Sequence, residues 1–352
     1  MMIIELRRWP LSWLIPILFP QINDTWSETM RTPMIAIGLV ACTVFGSVQA
    51  AAYPNRPIKM VVAWAAGGGT DIPARVVADH LSKQLKVPVI VENRTGASGM
   101  IGSEYVARAA PDGYTIQYTV ADSHSVDPHL FPNIPYDARH DFVPVAIIGY
   151  NPTVLIVNSH LGIETFPDFI RYAKAHPNKL TFSSWGLGSG GQVRMAVIMN
   201  ETGIKLRHIP FKGSAPALQA VVGGHVDSMI VPASMAKPQA DAGRVKMLAV
   251  DTQQRADLAP GVKTYAEQGY SYNLRFWQGI LAPKNTPQAI VDTLNKAINA
   301  SLSTPQAKAD LHRIGIIRLS PGDGGPAATK AYMDEEYVRW GKVIKAAKIS
   351  VQ

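Results

Sequence analysis

Two glycine-rich runs are the parts of this chain best suited to chemistry. In the first, the short apolar run Val61-Val62-Ala63-Trp64-Ala65-Ala66 ends in Gly67, Gly68 and Gly69, and Thr70 and Asp71 follow where a helix is expected to begin. Glycines let a ligand approach the backbone, and the first N–H groups of a helix are unpaired donors beside a positive dipole end. That combination suits an anion, a carboxylate above all. Thr70 and Asp71 would serve equally as plain N-caps of a tight structural turn. The second run, Ser183-Ser184-Trp185-Gly186-Leu187-Gly188-Ser189-Gly190-Gly191, again stands between an expected strand and an expected helix. Ser183, Ser184, Gly188, Ser189 and Gly190 would give one ligand carboxylate a second set of N–H and hydroxyl donors.

Gly186 to Gly191 also reads G-x-G-x-x-G, the spacing of a dinucleotide-binding turn. That fingerprint needs an acidic residue at the end of the next strand. The chain there reads Lys205-Leu206-Arg207-His208-Ile209-Pro210-Phe211-Lys212, so only an NADP-type reading through Arg207 or Lys212 stays open. Ser189 has Leu187 two residues before it, so the nucleophile elbow G-x-S-x-G is absent. Cys42 is the single cysteine, and the nine histidines show no metal-ligand spacing. His124 and His129 flank Asp127-Pro128 in what reads as a solvated loop. Asp122, Ser123 and His124 follow the end of an expected strand, on the side of a parallel sheet where ligands bind. No catalytic residue, cofactor or metal is expected.

The elements that must position these residues alternate. Strands are expected at 58–65, 87–92, 114–120, 154–157, 180–184, 205–209, 228–231, 245–250 and 276–281. Helices are expected at 73–85, 99–109, 165–175, 190–202, 215–223, 238–243, 287–302, 305–314 and 327–347. Strand-helix alternation implies an α/β fold with parallel sheets covered by helices. Two such units without a long linker predict two lobes and a ligand cleft between them. Residues 53–151 and 275–352 would form one lobe and 152–274 the other.

Composition agrees with a globular chain: 352 residues, 47% hydrophobic and 17% charged, with a formal charge of +8. The basic residues are scattered and lack interleaved aromatics, which argues against a nucleic-acid surface. A positive field mildly favours anionic ligands. Residues 1–52 read as an upstream extension followed by a signal peptide. Met30-Arg31 opens the charged region, Met34 to Phe45 is apolar, and Val48-Gln49-Ala50 resembles a cleavage site, with cleavage expected near Ala50 or Ala52. Leu39-Val40-Ala41-Cys42 offers lipidation at Cys42 as the alternative.

Several ordered segments together resemble the Bug family, the extracytoplasmic solute receptors of tripartite tricarboxylate transporters (TctC-like proteins). They are Tyr53-Pro54-Asn55-Arg56-Pro57-Ile58, Gly67–Asp71, Val91-Glu92-Asn93-Arg94 and Pro111-Asp112-Gly113-Tyr114-Thr115. Asp141-Phe142-Val143-Pro144-Val145, Ser183–Gly191, Pro210-Phe211-Lys212-Gly213, Gly223-Gly224-His225-Val226-Asp227 and Trp277-Gln278-Gly279 continue the series. The resemblance implies a two-lobed periplasmic binding fold of type II that closes on a small carboxylated solute, without catalysis, and presents it to membrane permease subunits. It places ligand contacts at Gly67, Gly68, Gly69, Thr70 and Asp71 and at the second glycine run. Asp122, Ser123, His124, Lys212, Gly213, Ser214 and Asp227 would line the cleft. It further implies a periplasmic monomer with an organic-acid ligand and no nucleic-acid partner; a receptor serving a sensor kinase would look the same. Three positions depart from the family pattern: Ala66 stands where proline is usual, Asp122 where a small hydroxyl residue is usual, and Gln192 where histidine is usual.

Overall fold

The computed structural model describes residues 53–350 except 273, 274, 320, 321 and 323. The expected signal peptide and Cys42 lie outside the described residues. The chain forms two sheets flanked by helices, one in each of two lobes. The first sheet has six strands in the order β11-β4-β10-β3-β1-β2: β1 is Ile58–Val62, β2 Val89–Asn93, β3 Thr115–Val120, β4 Phe142–Tyr150, β10 Trp277–Pro283 and β11 Ile317–Arg318. The second has five in the order β7-β6-β8-β5-β9: β5 is Thr153–Asn158, β6 Thr181–Ser184, β7 Arg207–Pro210, β8 Ser228–Pro232 and β9 Val245–Val250.

The sheets are mixed rather than parallel throughout. β1 pairs parallel with β2 and β3, but β10 runs antiparallel to β3 and β4, and β11 antiparallel to β4. In the second sheet β6 is parallel to β7 and β8, whereas β5 is antiparallel to β8 and β9. The antiparallel pairs of the first sheet come from chain that leaves for the other lobe and returns. β4 passes into β5 through Asn151 and Pro152 alone, and β10 brings the chain back. Such crossovers are not bound to the right-handed parallel connection that a local strand-helix-strand unit imposes.

The expected helix at 238–243 is instead Ala233–Asp241, with Pro238 inside it. Proline is best tolerated at the first position of a helix, but here the helix begins at Ala233 and Pro238 stands inside it. β4 carries no polar alternation and contains Pro144, which removes a ladder donor. Register shifts opposite Val145 and Ile148 absorb the irregularity. Gly149, with φ +153, is needed where β11 crosses: a Cβ there would lie 2.2 Å from the Ile317 carbonyl oxygen.

Helices Asp71–Leu85 and Gln288–Leu302 pack together against the first sheet through Val77, Leu81, Leu294 and Ile298, all buried. The long C-terminal helix Pro326–Ala346 packs on β4 and on the π-turn Asp122–Val126 that follows β3. The second lobe buries Val154, Ile156, Met229 and Val231 beneath helix Ser214–Val222. The carboxyl ends of β1 and β3 in one lobe and of β6 and β8 in the other supply the cleft, where parallel strands place ligands.

Candidate functional site

The first glycine turn leaves β1 at Val62 and enters its helix at Asp71. Asp71 is buried, and its carboxylate accepts hydrogen bonds from the Gly67 N–H at 2.9 Å, Arg75 Nε at 2.9 Å and Asn93 Nδ2 at 2.8 Å. Burial alone would raise this carboxyl; the bonds from Arg75, Asn93 and Gly67 outweigh it and hold it below the ordinary range. Asp71 therefore ties the turn from behind. Gly67, with φ +73, allows the backbone to fold back toward that carboxylate. Thr70 occupies the N-cap position without a side-chain cap bond, and instead borders the cavity between the lobes.

The second glycine turn is tied differently. Ser184 Oγ and Ser189 Oγ both donate to the Gly186 carbonyl, at 2.8 and 2.6 Å, and Ser184 also meets His208 Nε2 at 2.7 Å. The N–H groups of Gly186, Gly188 and Ser189 go to Ser184 Oγ, Gln192 Oε1 and the Gly186 carbonyl. The Gly190 N–H, at the start of helix Gly190–Thr202, donates to Asp122 Oδ2 at 2.9 Å, and Trp185 Nε1 donates to the same oxygen at 2.9 Å. Asp122 belongs to the other lobe. A Cβ on Gly190 would lie 2.8 Å from Asp122 Oδ1 and 2.6 Å from Phe276, so only glycine admits this approach. With these donors engaged, the loop has little to offer a pyrophosphate.

The lobes meet closely. Gly69 N–H donates to Ser214 Oγ at 3.3 Å, and Ser98 Oγ donates to the Leu187 carbonyl. Between them is a cavity of about 60 Å³, several times the space one water requires. The first lobe lines it with Gly68, Gly69, Thr70, Val120, Asp122 and Gln278, and the second with Asn151, Thr153, Arg194, Gly213 and Ser214. Trp64, Trp185, Phe276 and Pro232 provide apolar wall. Arg194 is 3% exposed, lies 3.8 Å from Asp251 and stacks 3.9 Å over the Phe276 ring. Burial lowers the Arg194 guanidinium and raises the Asp122 and Asp251 carboxyls, while attraction between the unlike charges opposes each shift. A larger hollow of about 620 Å³ is bordered by Tyr150, Asp251, Arg255, Asp257, Tyr265 and His312 among others. None of the residues bordering it belongs to either glycine turn, and its Arg255 and His312 pair with Glu267 and Asp257.

Of the residues expected from sequence, Gly68, Gly69, Thr70, Asp122, Gly213 and Ser214 border the cavity, and Gly67 and Asp71 shape its first turn from behind. Ser183 donates to the Ala217 carbonyl, and Ser184, Gly188, Ser189 and Gly190 build the second turn without lining the cavity. Lys212 is exposed. Asp227 stands at the opposite end of β8 from the cleft, where it accepts bonds from Thr181 N–H and Oγ1, both at 2.7 Å. The stretch from Asp122 to Asp127 is not a solvated loop but a buried turn. His124 sits behind the cavity against Phe142 and Tyr136, with Nδ1 near Thr119 and Ser123, and burial pushes it down to about 3. Asn151 on the crossover, Thr153 at the start of β5 and Phe276 just before β10 border the cavity without belonging to either glycine turn or to the expected cleft residues. Gln278, from the segment Trp277-Gln278-Gly279, also borders the cavity, and its Oε1 accepts from Tyr118 Oη at 2.7 Å. Among the described residues no His, Cys, Asp and Glu cluster could hold a metal ion.

Residues 73–349 match the model of the tripartite tricarboxylate transporter family receptor. Protein BugT of Bordetella pertussis is 34% identical over 319 residues, covering 90% of this chain and 97% of that protein. The periplasmic binding protein BugD superposes with a TM-score of 0.80 at 32% identity, over 85% of this chain and 100% of BugD. An R. palustris protein solved with adipate gives 0.81 at 33% identity over 85% and 99% of the two chains. MatC from Rhodopseudomonas palustris with bound malate gives 0.78 at 31% over 83% and 100%.

Proposed function

The chain belongs to the tripartite tricarboxylate transporter receptor family, a family of periplasmic solute-binding proteins, and from that premise we propose that it captures a small carboxylate-bearing organic solute between its lobes. The observation that carries the reading is the cavity itself. A glycine turn at a helix N-terminus, the Thr70 and Ser214 hydroxyls and the buried Arg194 converge on it from two lobes. Thr70, which makes no cap bond, and the Gly69 N–H, exchanging its 3.3 Å bond to Ser214 Oγ, receive the carboxylate, and the aromatic wall of Trp64, Trp185 and Phe276 receives the remainder of the solute. Adipate and malate in two structural neighbours are consistent with this chemistry.

Binding works by population shift. A solute that touches both lobes favours the closed arrangement over the open one by the difference in its contacts. The closed receptor then presents its solute to the permease subunits of a tripartite transporter, and the site of action is the periplasm, reached through the signal peptide expected at the N-terminus. No helix of the described residues is long and apolar enough to cross a membrane.

A thermal-shift screen of mono-, di- and tricarboxylates, amino acids and aromatic acids, followed by calorimetry, tests the reading. At least one acid is expected to raise the melting temperature and to bind with one-to-one stoichiometry. A panel in which no carboxylate binds the folded protein refutes it.

A further inference from the structure

Asp122 offers more than a departure from a family pattern. It closes β3 in the first lobe, is 2% exposed, and points across the cleft at the second lobe. There one of its oxygens accepts from both Gly190 N–H and Trp185 Nε1. These two donors already hold an anion, whereas the N–H groups of Gly186, Gly188 and Ser189 and the Ser184 and Ser189 hydroxyls serve the turn itself and Gln192. The helix they open, Gly190–Thr202, is 13 residues long and carries a full dipole toward the same carboxylate.

We propose that Asp122 is a resident carboxylate that fills the second lobe's anion position, so that the cleft selects solutes with one carboxylate over their two-carboxylate counterparts. The inference rests on the carboxylate-capture reading and specifies its substrate class. The solute's single carboxylate meets Thr70, whose side chain makes no cap bond and borders the cavity, and the Gly69 N–H in exchange for its long 3.3 Å bond to Ser214 Oγ. Its other end meets Asp122 and the apolar wall of Trp64, Val120, Trp185 and Phe276. A second carboxylate arriving there finds its donors taken and a like charge beside it. Arg194 does not rescue it, because that guanidinium already faces Asp251 at 3.8 Å and the field of Asp122. Adding one more anion leaves three carboxylates around one buried cation, and like charges brought together at a desolvated interface are strongly disfavoured.

The test compares matched pairs of acids, butyrate with succinate and hexanoate with adipate, by calorimetry on the full mature chain at neutral pH. Wild type is expected to bind each monoacid at least about tenfold more tightly than its diacid. Asp122→Asn keeps an acceptor for Gly190 and Trp185 but removes the charge, and Asp122→Ser vacates the position. Both are expected to shift the ratio toward the diacid by about 10- to 100-fold. A wild-type preference for the diacids overturns the inference while leaving carboxylate capture intact, as does an unchanged ratio in both variants. Binding of neither acid type to folded wild-type protein removes the capture reading, and this one with it. The wild-type ratio decides even if a variant fails to fold.

Discussion

Gly69→Ala should separate ligand binding from folding. Gly69 belongs to the first lobe, and a Cβ there would lie 2.8 Å from Cγ of Pro232, which ends β8 in the second lobe. Carbon atoms rest about 3.5 to 4.0 Å apart, and the proline ring, held at both ends by the backbone, can shift its Cγ only by changing pucker. The lobes therefore part by up to roughly 1 Å at this point, less whatever the ring pucker absorbs. Overfilling a packed contact costs about 1 to 3 kcal/mol. That cost falls on the closed form alone, because the open form lacks the contact. It should weaken binding by about 5- to 150-fold, at ~1.4 kcal/mol per factor of ten. The assay is calorimetry with the tightest acid from the screen, together with small-angle scattering to record contraction on ligand addition. The control is Gly67→Ala. That residue has φ +73 with nothing within 4 Å of its added Cβ, so the left-handed strain of about 1 to 2 kcal/mol burdens open and closed forms alike. Gly67→Ala should lower the melting temperature and leave affinity near wild type. Wild-type affinity and full contraction in Gly69→Ala would refute the closure geometry.

Two further predictions follow from the same geometry. Ser214→Ala removes the acceptor of the Gly69 N–H across the cleft; a net hydrogen bond of about 0.5 to 1.5 kcal/mol predicts about 2- to 12-fold weaker binding by calorimetry, with little change in the ligand-free melting temperature. His124→Gln addresses acid stability. The folded imidazole is pushed down to about 3 by burial, so it stays neutral while the unfolded chain takes up a proton below about 6.5. Its stabilisation is complete above that value and is lost as pH falls toward 3. Between pH 7 and pH 5 the loss is about 2 kcal/mol at ~1.36 kcal/mol per unit. The buried Asp122 and Asp127 carboxyls, raised by burial, act with the opposite sign. The readout is therefore the difference between variant and wild type in urea melts, and equal slopes in the two proteins refute a neutral buried His124.

Local pattern made much of the fold legible. The helix at 190–202 and the strand at 245–250 have the bounds their periodicity and flanking glycines imply. Failures occur where tertiary pairing overrides local signals. β4 hides behind Pro144 because its irregularity is taken up by bulges against β10, which lies more than a hundred residues away. Strand direction in the sheets depends on the return of the chain between lobes, which strand-helix alternation does not encode. At the site, glycines announced both turns, but not which donors remain available. The partners of Asp122 are 63 and 68 residues distant in sequence. Asn151, Thr153 and Phe276 reach the cavity from the strand ends where the chain passes between the sheets, a placement that no local pattern encodes.

The two glycine turns look alike in sequence and differ through the carboxylates that tie them. Asp71 reaches back four residues to Gly67 and holds the first turn from outside the cavity, leaving its inner face to a solute. Asp122 enters the second turn from the opposite lobe and takes its inner donors. Arg194 lies within the second turn of the same helix, where a cation opposes the macrodipole and its burial is costly. Asp251 and Asp122 together offset that cost. The second lobe thus holds an anion-attracting helix end and a buried guanidinium whose appeal to a solute is neutralised from within the protein. Asp251 faces Arg194 from within the second lobe, but Asp122 reaches Gly190 and Trp185 from the first, so that part of the neutralisation exists only when the lobes meet. Parting the lobes would free Gly190 and Trp185 for a ligand carboxylate; on closing, Asp122 competes for them. Discrimination between one and two carboxylates therefore acts on the closing step rather than on first encounter.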